Sequence, residues 1–358
     1  MSSLNALLDN PATVTSRDPK GMYALALGFP EQCRAALRIA ESTPIGLNAT
    51  GVRQVVLTGL GGSAAGGDFA RALFEAQAKV PFSVNRDYTL PGYVGPETLV
   101  FATSYSGNTE ETLSAYADAR RRGARIIVVT SGGELARRAA ADQVPVVTIP
   151  GGQPPRTAMG FMLVPVLVAS AKLGLLPAQD IAGAASEMET ASKAWRAESP
   201  TSVNEAKRLG LTLHGALGVI YGLGGWQTVV AGRWKGQINE NAKQHIFSHA
   251  LPEMNHNEIL GWEGTARLGV RQWVTLLLED GTESDRMKLR AQVTVDLVSR
   301  AGQAYRVKAS GSTLLAKMLS LALLGDFVSL YLAALNEEDP YTIDSIDQIK
   351  QALGAVPG

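Results

Sequence analysis

The sequence predicts an α/β fold with two doubly wound domains, each a mainly parallel sheet flanked by helices. Short apolar runs alternate with longer amphipathic segments along most of the chain, which is the pattern of repeated strand–helix units. The run from Ile126 to Thr130 is almost wholly apolar, as expected of a parallel strand covered on both faces. A stretch rich in alanine, glutamate and serine interrupts the alternation near residue 190, and a second alternation follows. The length of 358 residues suits two such domains.

The composition is that of a globular protein with a large core, and we expect no nucleic-acid or membrane partner. Hydrophobic residues make up 46% of the chain, and 33 basic residues balance 33 acidic ones. The basic cluster at residues 120–122 is typical of a solvated helix end. The apolar windows 161–176 and 314–335 contain proline, glycine, Lys317 or Asp326, so they predict buried helices and not membrane spans.

The cysteine content and the N-terminus favour a cytoplasmic protein. Cys33 is the single cysteine, which excludes an internal disulfide and is typical of a reducing compartment. The N-terminus lacks a charged segment followed by an apolar run, so no signal peptide is indicated.

The first domain is expected at residues 51–180, after a helical lead-in at residues 1–50. Its first strand, Gln54 to Thr58, runs into a glycine-rich turn at residues 59–68, and a helix is expected from about residue 68 to 78. The other elements predicted in this half are strands at 81–85, 98–103, 126–130 and 144–149 and helices at 110–122, after 131 and at 158–173.

The second domain is expected at residues 206–358, after a helical linker at residues 181–205. It repeats the alternation of strand and helix, although no residue-level repeat is evident. The elements predicted in this half are strands at 218–222, 273–279 and 303–307 and helices at 226–239, 285–299, 314–335 and 343–353.

The loop after the strand at 98–103 has the chemistry of an anion cradle. The hydroxyls of Ser104, Ser106 and Thr109 provide donors that can turn toward phosphate oxygens. The helix that follows offers unpaired N–H groups and the positive end of its dipole. Gly107 allows a backbone turn that most residues resist.

The glycine-rich segment 59–68 follows the first strand and predicts a second ligand-binding loop. Such a turn lets backbone amides approach a phosphate or a sugar, although glycines also serve simply for close helix–strand packing. A dinucleotide fingerprint is a weaker alternative, because the strand at 81–85 does not end in an acid placed to hold a ribose. In doubly wound sheets ligands bind beyond the carboxyl ends of the strands, so both loops predict one shared site.

Three ionisable residues are candidates for catalysis. Arg156 stands at the start of a long apolar helix, where the dipole disfavours a cation, and a salt bridge is the alternative explanation. Glu240 lies among amides at the end of a helix, and His256 lies between two asparagines. A carboxylate and an imidazole give a base and an acid that work near neutral pH. An interface or helix-cap hydrogen bond is the alternative for either residue alone.

A zinc site is a competing interpretation of the same region. His245 and His249 are four residues apart and could share a helix face, with Glu253 and His256 nearby. Pro252 breaks any helix before a third ligand, and no HExxH-type spacing occurs. We therefore expect no metal and no other cofactor.

Several motifs carry a resemblance to a known family. They cover nearly the whole chain in order: Gly61 to Asp68, Arg86 to Tyr88 with Pro91, Ser104 to Thr112, Thr130 to Leu135, Pro155-Arg156, Asn239 to Lys243, His256 to Glu258, and Asp339 to Lys350. The first four resemble a sugar isomerase (SIS) domain. Taken together, the motifs resemble the bifunctional phosphoglucose/phosphomannose isomerases.

This resemblance implies two SIS-type domains and an aldose–ketose isomerase without a metal. The enzyme would interconvert glucose 6-phosphate, mannose 6-phosphate or both with fructose 6-phosphate through a cis-enediolate. Glu240 would be the base, Arg156 would steady the enediolate, and His256 with Lys350 would assist ring opening. The substrate would be held by small residues at the two loops: Gly61, Gly62 and, for the phosphate, Ser63, Ser104, Ser106 and Thr109.

The resemblance also implies a homodimer, because in this family the histidine comes from the partner subunit. Two departures from the family pattern bear on sugar preference: Ala65 replaces a bulkier residue, and Gly236 stands where threonine is common. A non-catalytic sugar-phosphate sensor and an isomerase of another phosphosugar stay open as alternatives.

Overall fold

The computed structural model describes residues 2–270 and 272–354. Helices and strands alternate along both halves of this part of the chain. The strands are β1 (Gln54–Thr58), β2 (Phe82–Asn85), β3 (Thr98–Ser104), β4 (Arg125–Thr130), β5 (Val146–Thr148), β6 (Leu217–Leu223), β7 (Ile246–Leu251), β8 (Trp273–Glu279) and β9 (Gln303–Lys308). The helices are α1 (Ser2–Leu8), α2 (Pro11–Ser16), α3 (Met22–Leu27), α4 (Phe29–Ser42), α5 (Gly61–Gln77), α6 (Glu110–Arg121), α7 (Gly133–Ala141), α8 (Met159–Lys172), α9 (Ile181–Ser192), α10 (Glu205–Leu213), α11 (Gly225–Ala242), α12 (Ile259–Glu263), α13 (Asp285–Val298), α14 (Leu314–Asn336) and α15 (Asp344–Gly354).

The strands form two parallel sheets, one in each half of the chain. Their orders are β2-β1-β3-β4-β5 and β7-β6-β8-β9, and every pairing is parallel. The first four strands follow the same order in both sheets, which confirms two doubly wound domains. The winding direction reverses between β1 and β3 and between β6 and β8, and such reversals open a crevice for ligands.

The apolar runs of the sequence become buried strands and one long core helix. Every residue of β3 is buried, and α14 is buried along almost its entire length. By length and composition α14 could cross a membrane, yet its apolar window is wholly covered by the rest of the protein. It packs against α9, α10 and α11 and also contacts α1 and α3 near the start of the chain, so it joins the two halves and confirms the buried helix that the sequence predicted.

The structure corrects two predicted elements. Helix α5 begins at Gly61 and not near residue 68, because several of its glycines lie where a side chain would strike a neighbouring segment. Close packing therefore outweighs the low helix propensity of glycine. Residues 246–251, which the zinc alternative treated as helical, form the edge strand β7.

The predicted helical linker at residues 181–205 contains α9 and a 3₁₀ turn at Lys193–Trp195. Helix α9 packs on both α4 and α14, so this segment belongs to the core and is not an extended connection. The predicted division into domains at these residues stays a prediction.

Candidate active site

A cavity of about 480 Å³ lies between α5 and α11, the helices that follow β1 and β6. Glycines keep both of its walls open: Gly61 and Gly62 on α5, and Gly232 and Gly236 on α11. Its polar lining includes Asp68, Arg71, Arg86, Arg156, Arg233, Lys235, Gln237, Glu240 and Ser248.

Glu240 and Arg156 meet in this cavity. Glu240 lies in the last turn of α11, and its Oε2 is 3.5 Å from Nη1 of Arg156. The arginine side chain is 5% exposed, whereas the glutamate side chain is 34% exposed. The pair therefore combines a buried cation with a carboxylate that a small molecule can reach.

The guanidinium of Arg156 is held by neighbouring groups. Its Nε donates to Oδ1 of Asn241 at 2.8 Å. Its Nη2 donates to the carbonyl oxygens of Pro340 at 2.6 Å and Tyr341 at 3.0 Å. Burial lowers the pKa of Arg156, and the carboxylate of Glu240 opposes that shift. Because Nε and Nη2 are tied to the protein, Nη1 is the donor directed at Glu240.

The glycine at position 62 sets the distance between α5 and the turn that carries Arg156. A Cβ at Gly62 would lie 2.4 Å from the carbonyl oxygen of Pro155 and 3.1 Å from the amide nitrogen of Arg156. Gly61 has a φ of +51°, a conformation that side chains disfavour. The glycines that the sequence assigned to a binding turn thus allow two backbones to approach closely.

The serine loop, residues 104–109, joins β3 to α6 at the reversal point of the first sheet. The hydroxyl oxygens of Ser104 and Thr109 are 2.9 Å apart, and the Gly107 amide donates to Oγ of Ser104. Thr109 is the N-cap of α6, yet its hydroxyl makes no capping hydrogen bond to the helix. The first amides of α6 therefore keep their donors available for an anion.

The serine loop contacts the start of α5 directly. Oγ of Ser63 accepts a hydrogen bond from the Tyr105 amide at 3.1 Å, and Ser63 follows two residues that line the cavity. Ser104, Ser106 and Thr109 lie outside the lining itself, behind this helix start. The first turn of α5 therefore connects the candidate phosphate loop with the Glu240–Arg156 pair.

Comparison with known proteins identifies the family. The SIS domain family matches residues 50–166, and the family described as bacterial phospho-glucose isomerase C-terminal SIS domain matches residues 202–353. A bifunctional phosphoglucose/phosphomannose isomerase from Caldicellulosiruptor bescii is 42% identical over 94% of this chain and 99% of its own. The chain belongs to the bifunctional phosphoglucose/phosphomannose isomerase family.

Two further similarities accompany this family membership. A bifunctional phosphoglucose/phosphomannose isomerase from Aquifex aeolicus is 35% identical over 93% of this chain and 98% of its own. The solved structure of a hypothetical protein from Thermus thermophilus superimposes with a TM-score of 0.74, covering 99% of this chain and 94% of that chain. Its 18% identity shows a shared fold alone.

In this member of the phosphoglucose/phosphomannose isomerase family, two predicted site residues lie away from the cavity of the single chain. His256 is exposed at the end of a 3₁₀ turn, Glu253–His256, that follows β7. Lys350 is exposed on α15, where its Nζ lies 3.4 Å from Oδ1 of Asp347. The structure brings together Gly61, Gly62, Arg156 and Glu240, but not His256 or Lys350.

The histidines of the zinc alternative have other partners. His245 stacks on Phe247, and Nδ1 of His249 is 2.7 Å from Oε2 of Glu258. Glu258 also accepts a hydrogen bond from the hydroxyl of Tyr221, so it links β6, β7 and the turn after β7. Across residues 2–270 and 272–354, no three His, Cys, Asp or Glu side chains lie close enough to hold a metal ion.

Sequence reasoning missed several charged residues of the cavity. Arg71, Arg86 and Lys235 add positive charge to its lining, and Asp68 pairs with Arg86. Burial raises the pKa of Asp68, and the guanidinium of Arg86 opposes that shift. Helical spacing from Glu240 back along α11 would have pointed to Gln237, Gly236 and Arg233, which lie three, four and seven residues before it and also line the cavity, but not to Lys235.

The second domain carries a similar crevice that is filled by the chain itself. Gly59 to Gly62 and Gly222 to Gly225 have the same sequence, Gly-Leu-Gly-Gly; the first segment follows β1 directly, and the second begins in the last two residues of β6. This short match corrects the expectation of no residue-level repeat. In the loop after β8, the Glu283 carboxylate accepts hydrogen bonds from the amides of Asp280 and Gly281. The carboxylate of Glu283 thus accepts the hydrogen bonds that these amides could otherwise donate to a bound anion.

Proposed function

We propose that this protein is an aldose–ketose isomerase that interconverts glucose 6-phosphate, mannose 6-phosphate or both with fructose 6-phosphate. The reaction moves a proton between C1 and C2 through a cis-enediolate and needs no metal. Curated relatives that align along nearly the whole chain are named bifunctional phosphoglucose/phosphomannose isomerases. The observation that carries the proposal is the Glu240–Arg156 pair, 3.5 Å apart in the cavity between the two domains.

The pair has the two groups that this chemistry requires. In the aldose-to-ketose direction the Glu240 carboxylate removes the proton from C2, and negative charge develops on O1. The same carboxyl group then returns the proton to C1, while the proton on O2 is transferred to O1 as the new carbonyl forms at C2. Arg156 stabilises the developing charge, because a fixed cation is most effective where water is excluded. The enediolate is planar at C2, so either C2 epimer can form it.

The proposed phosphate site is the serine loop together with the start of α5. Ser63, Ser104, Ser106 and Thr109 supply hydroxyls, and the amides at the start of α6 add donors. The loop itself contains no lysine or arginine, which suits a site that must release its product.

A homodimer with an active site shared between subunits is part of the proposal. His256 is exposed just after β7, an edge strand whose Phe247 is 50% exposed, and such a surface suits contact with a second copy. In the dimer His256 would reach the partner's sugar and, with Lys350, assist ring opening. We also propose a cytoplasmic location, which fits the free and buried Cys33.

Proton exchange tests the proposed role of Glu240. The Glu240→Gln variant is expected to fold but to lose turnover of both hexose phosphates by about 10²–10⁴-fold, because its amide cannot accept the C2 proton. Exchange at C2 in deuterated water should fall in parallel. Glu97→Gln is the matched control, since Glu97 pairs with Arg53 at the opposite end of the first sheet. Near-normal exchange in Glu240→Gln would remove Glu240 from the mechanism.

A substrate panel separates the remaining alternatives. Isomerisation of both substrates should persist in excess EDTA, whereas loss with EDTA and rescue by zinc would reject the metal-free reaction. Turnover of a different phosphosugar alone would change the substrate and keep the chemistry. Tight binding of hexose phosphates without proton exchange would identify a sensor.

A further inference from the structure

A buried group of polar side chains begins at the cavity wall, which Arg233 and Gln237 help to line, and continues beneath it between α11 and α14. We call it the α11–α14 network; it consists of Arg233, Gln237 and Asn241 on α11 and Asp326 and Ser329 on α14. Nη2 of Arg233 and Nε2 of Gln237 each donate to a different oxygen of the Asp326 carboxylate, both at 2.8 Å. Nδ2 of Asn241 donates to Oγ of Ser329 at 2.9 Å.

This network holds Arg156 at two points. Arg233 donates from Nη2 to the main-chain oxygen of Arg156 at 3.4 Å. Oδ1 of Asn241 accepts from Nε of Arg156 at 2.8 Å. One end of the network therefore fixes the turn that carries Arg156, and the other end fixes its guanidinium.

The same helix face carries the proposed base. Arg233, Gln237 and Asn241 are spaced four residues apart along α11, and Glu240 precedes Asn241 directly. The network thus attaches the last turns of α11 to α14 while the neighbouring residue presents its carboxylate to the cavity. The distance between Glu240 and Arg156 therefore depends on the network, whose α11 residues lie on the same helix as Glu240 and bond to Arg156.

Stability alone does not explain an ion pair at this place. The side chains of Arg233 and Asp326 are 4% and 8% exposed, and most residues around Asp326 on α14 are apolar. Burial raises the pKa of Asp326, and Arg233 only opposes that shift. Nε of Arg233 has no hydrogen-bond partner among the described residues. Replacement of a buried ion pair by apolar residues of similar volume is often neutral or stabilising, so stability is a weak explanation for this pair.

We propose that Arg233 and Asp326 are positioning residues for the isomerase reaction, which hold Arg156 against Glu240 from beneath the cavity. They act on Arg156 and not on the reacting atoms: Arg233 bonds the main-chain oxygen of Arg156, and Asp326 holds Arg233 in place. This inference rests on the proposed function.

Replacement of one partner gives the first test. Asp326→Asn is expected to lower kcat by about 10–100-fold with KM changed less than about threefold, because the transition state depends on the Arg156 geometry more than ground-state binding does. Asp280→Asn is the matched control. Asp280 is buried and pairs with Lys317 of α14 at 2.7 Å, remote from the cavity lining. It should lose stability but keep kcat.

A volume-matched apolar pair separates positioning from stability. The double variant Arg233→Met with Asp326→Leu is expected to lose less stability than Asp326→Asn, because no buried charge is left unpaired and only the Gln237 amide loses its acceptor, yet to keep the reduced kcat. Wild-type kcat in this double variant overturns the inference. So does an equal fall of kcat in Asp326→Asn and Asp280→Asn, since a general loss of packing would then explain both.

A crystal structure makes failure of the inference distinguishable from failure of the proposed function. If the wild type turns over no hexose phosphate, the proposed function fails, and the double variant still reports on positioning. Its Arg156 Nη1 is expected to move beyond salt-bridge distance of the Glu240 carboxylate. An unchanged separation near 3.5 Å overturns the inference whatever the activity.

Discussion

Replacement of Gly62 by alanine tests how strictly the first turn of α5 controls the active-site geometry. The added Cβ would lie 2.4 Å from the Pro155 carbonyl oxygen and 2.7 Å from its carbon, whereas ordinary contacts begin near 3.4 Å. Both neighbours are main-chain atoms, which cannot rotate away as a side chain could. The turn and α5 must therefore separate by about 1 Å, and Arg156 moves with the turn.

The size of the effect follows from that displacement. Misplacement of a catalytic group by about 1 Å can lower the rate about 10²-fold, which corresponds to about 2.7 kcal/mol of transition-state stabilisation. Overpacking of this kind also costs about 1–3 kcal/mol of folding free energy. We therefore expect Gly62→Ala to remain folded but to lose most of its kcat/KM for both hexose phosphates.

The assay pairs isomerase kinetics with denaturant unfolding, and Gly67→Ala is the matched control. Gly67 is buried on the same helix, but a Cβ there would meet only side-chain atoms of Leu57, the nearest at 2.7 Å. That leucine can change rotamer without moving the turn at Pro155. Gly67→Ala should lower stability and keep kcat/KM. Equal kcat/KM losses in the two variants would refute the reasoning, as would an unimpaired Gly62→Ala enzyme.

Three further outcomes are expected. Ser104→Ala should raise KM for hexose phosphates with little change in kcat, because one proposed phosphate donor is lost. Kinetics with the unphosphorylated sugar provide the comparison. Gly236→Thr should change the ratio of glucose to mannose 6-phosphate turnover, because Gly236 lines the cavity one turn before Glu240 and nothing now fills the space of a Cβ. Burial alone would raise the pKa of Asp118, but hydrogen bonds led by that from Arg122 bring it to about 2. This stabilisation is present above about pH 4 and is lost as the pH falls toward 2. The Asp118→Asn variant should therefore be less stable than the wild type at pH 7, and its free energy of unfolding should change less between about pH 4 and pH 2.

Most strands of the fold could be predicted from the sequence, including the edge strands β2, β5 and β9, but the edge strand β7 could not. β1 and β8 have the predicted bounds, because a strand covered on both faces is apolar along its whole length. β7 mixes buried and exposed residues at the edge of its sheet, so its sequence, Ile-Phe-Ser-His-Ala-Leu, gives no continuous run. Its strand conformation is decided by pairing with β6, and the local sequence of β7 does not show that pairing.

The candidate site could likewise be predicted only in part from the sequence. Glu240 and Arg156 stand out in the sequence because each breaks a local rule, a carboxylate among amides and a cation at a helix start. Of Arg233 and Asp326, only Asp326 breaks a local rule, as a charge within an apolar helix, and its partner lies 93 residues away. A buried charge indicates that a partner is needed, but the sequence does not say which cation provides it.

The two domains contribute unlike parts to one cavity, although they share strand order and a Gly-Leu-Gly-Gly segment. In the first domain the crevice keeps unused helix amides beside its hydroxyls, which suits it to an external anion. In the second domain Glu283 satisfies the loop amides from within, so that crevice needs no ligand and α11 is left to supply the base. A chain with two similar crevices therefore has one proposed anion site and one proposed catalytic carboxylate, and we infer that this asymmetry gives the protein a single isomerase site.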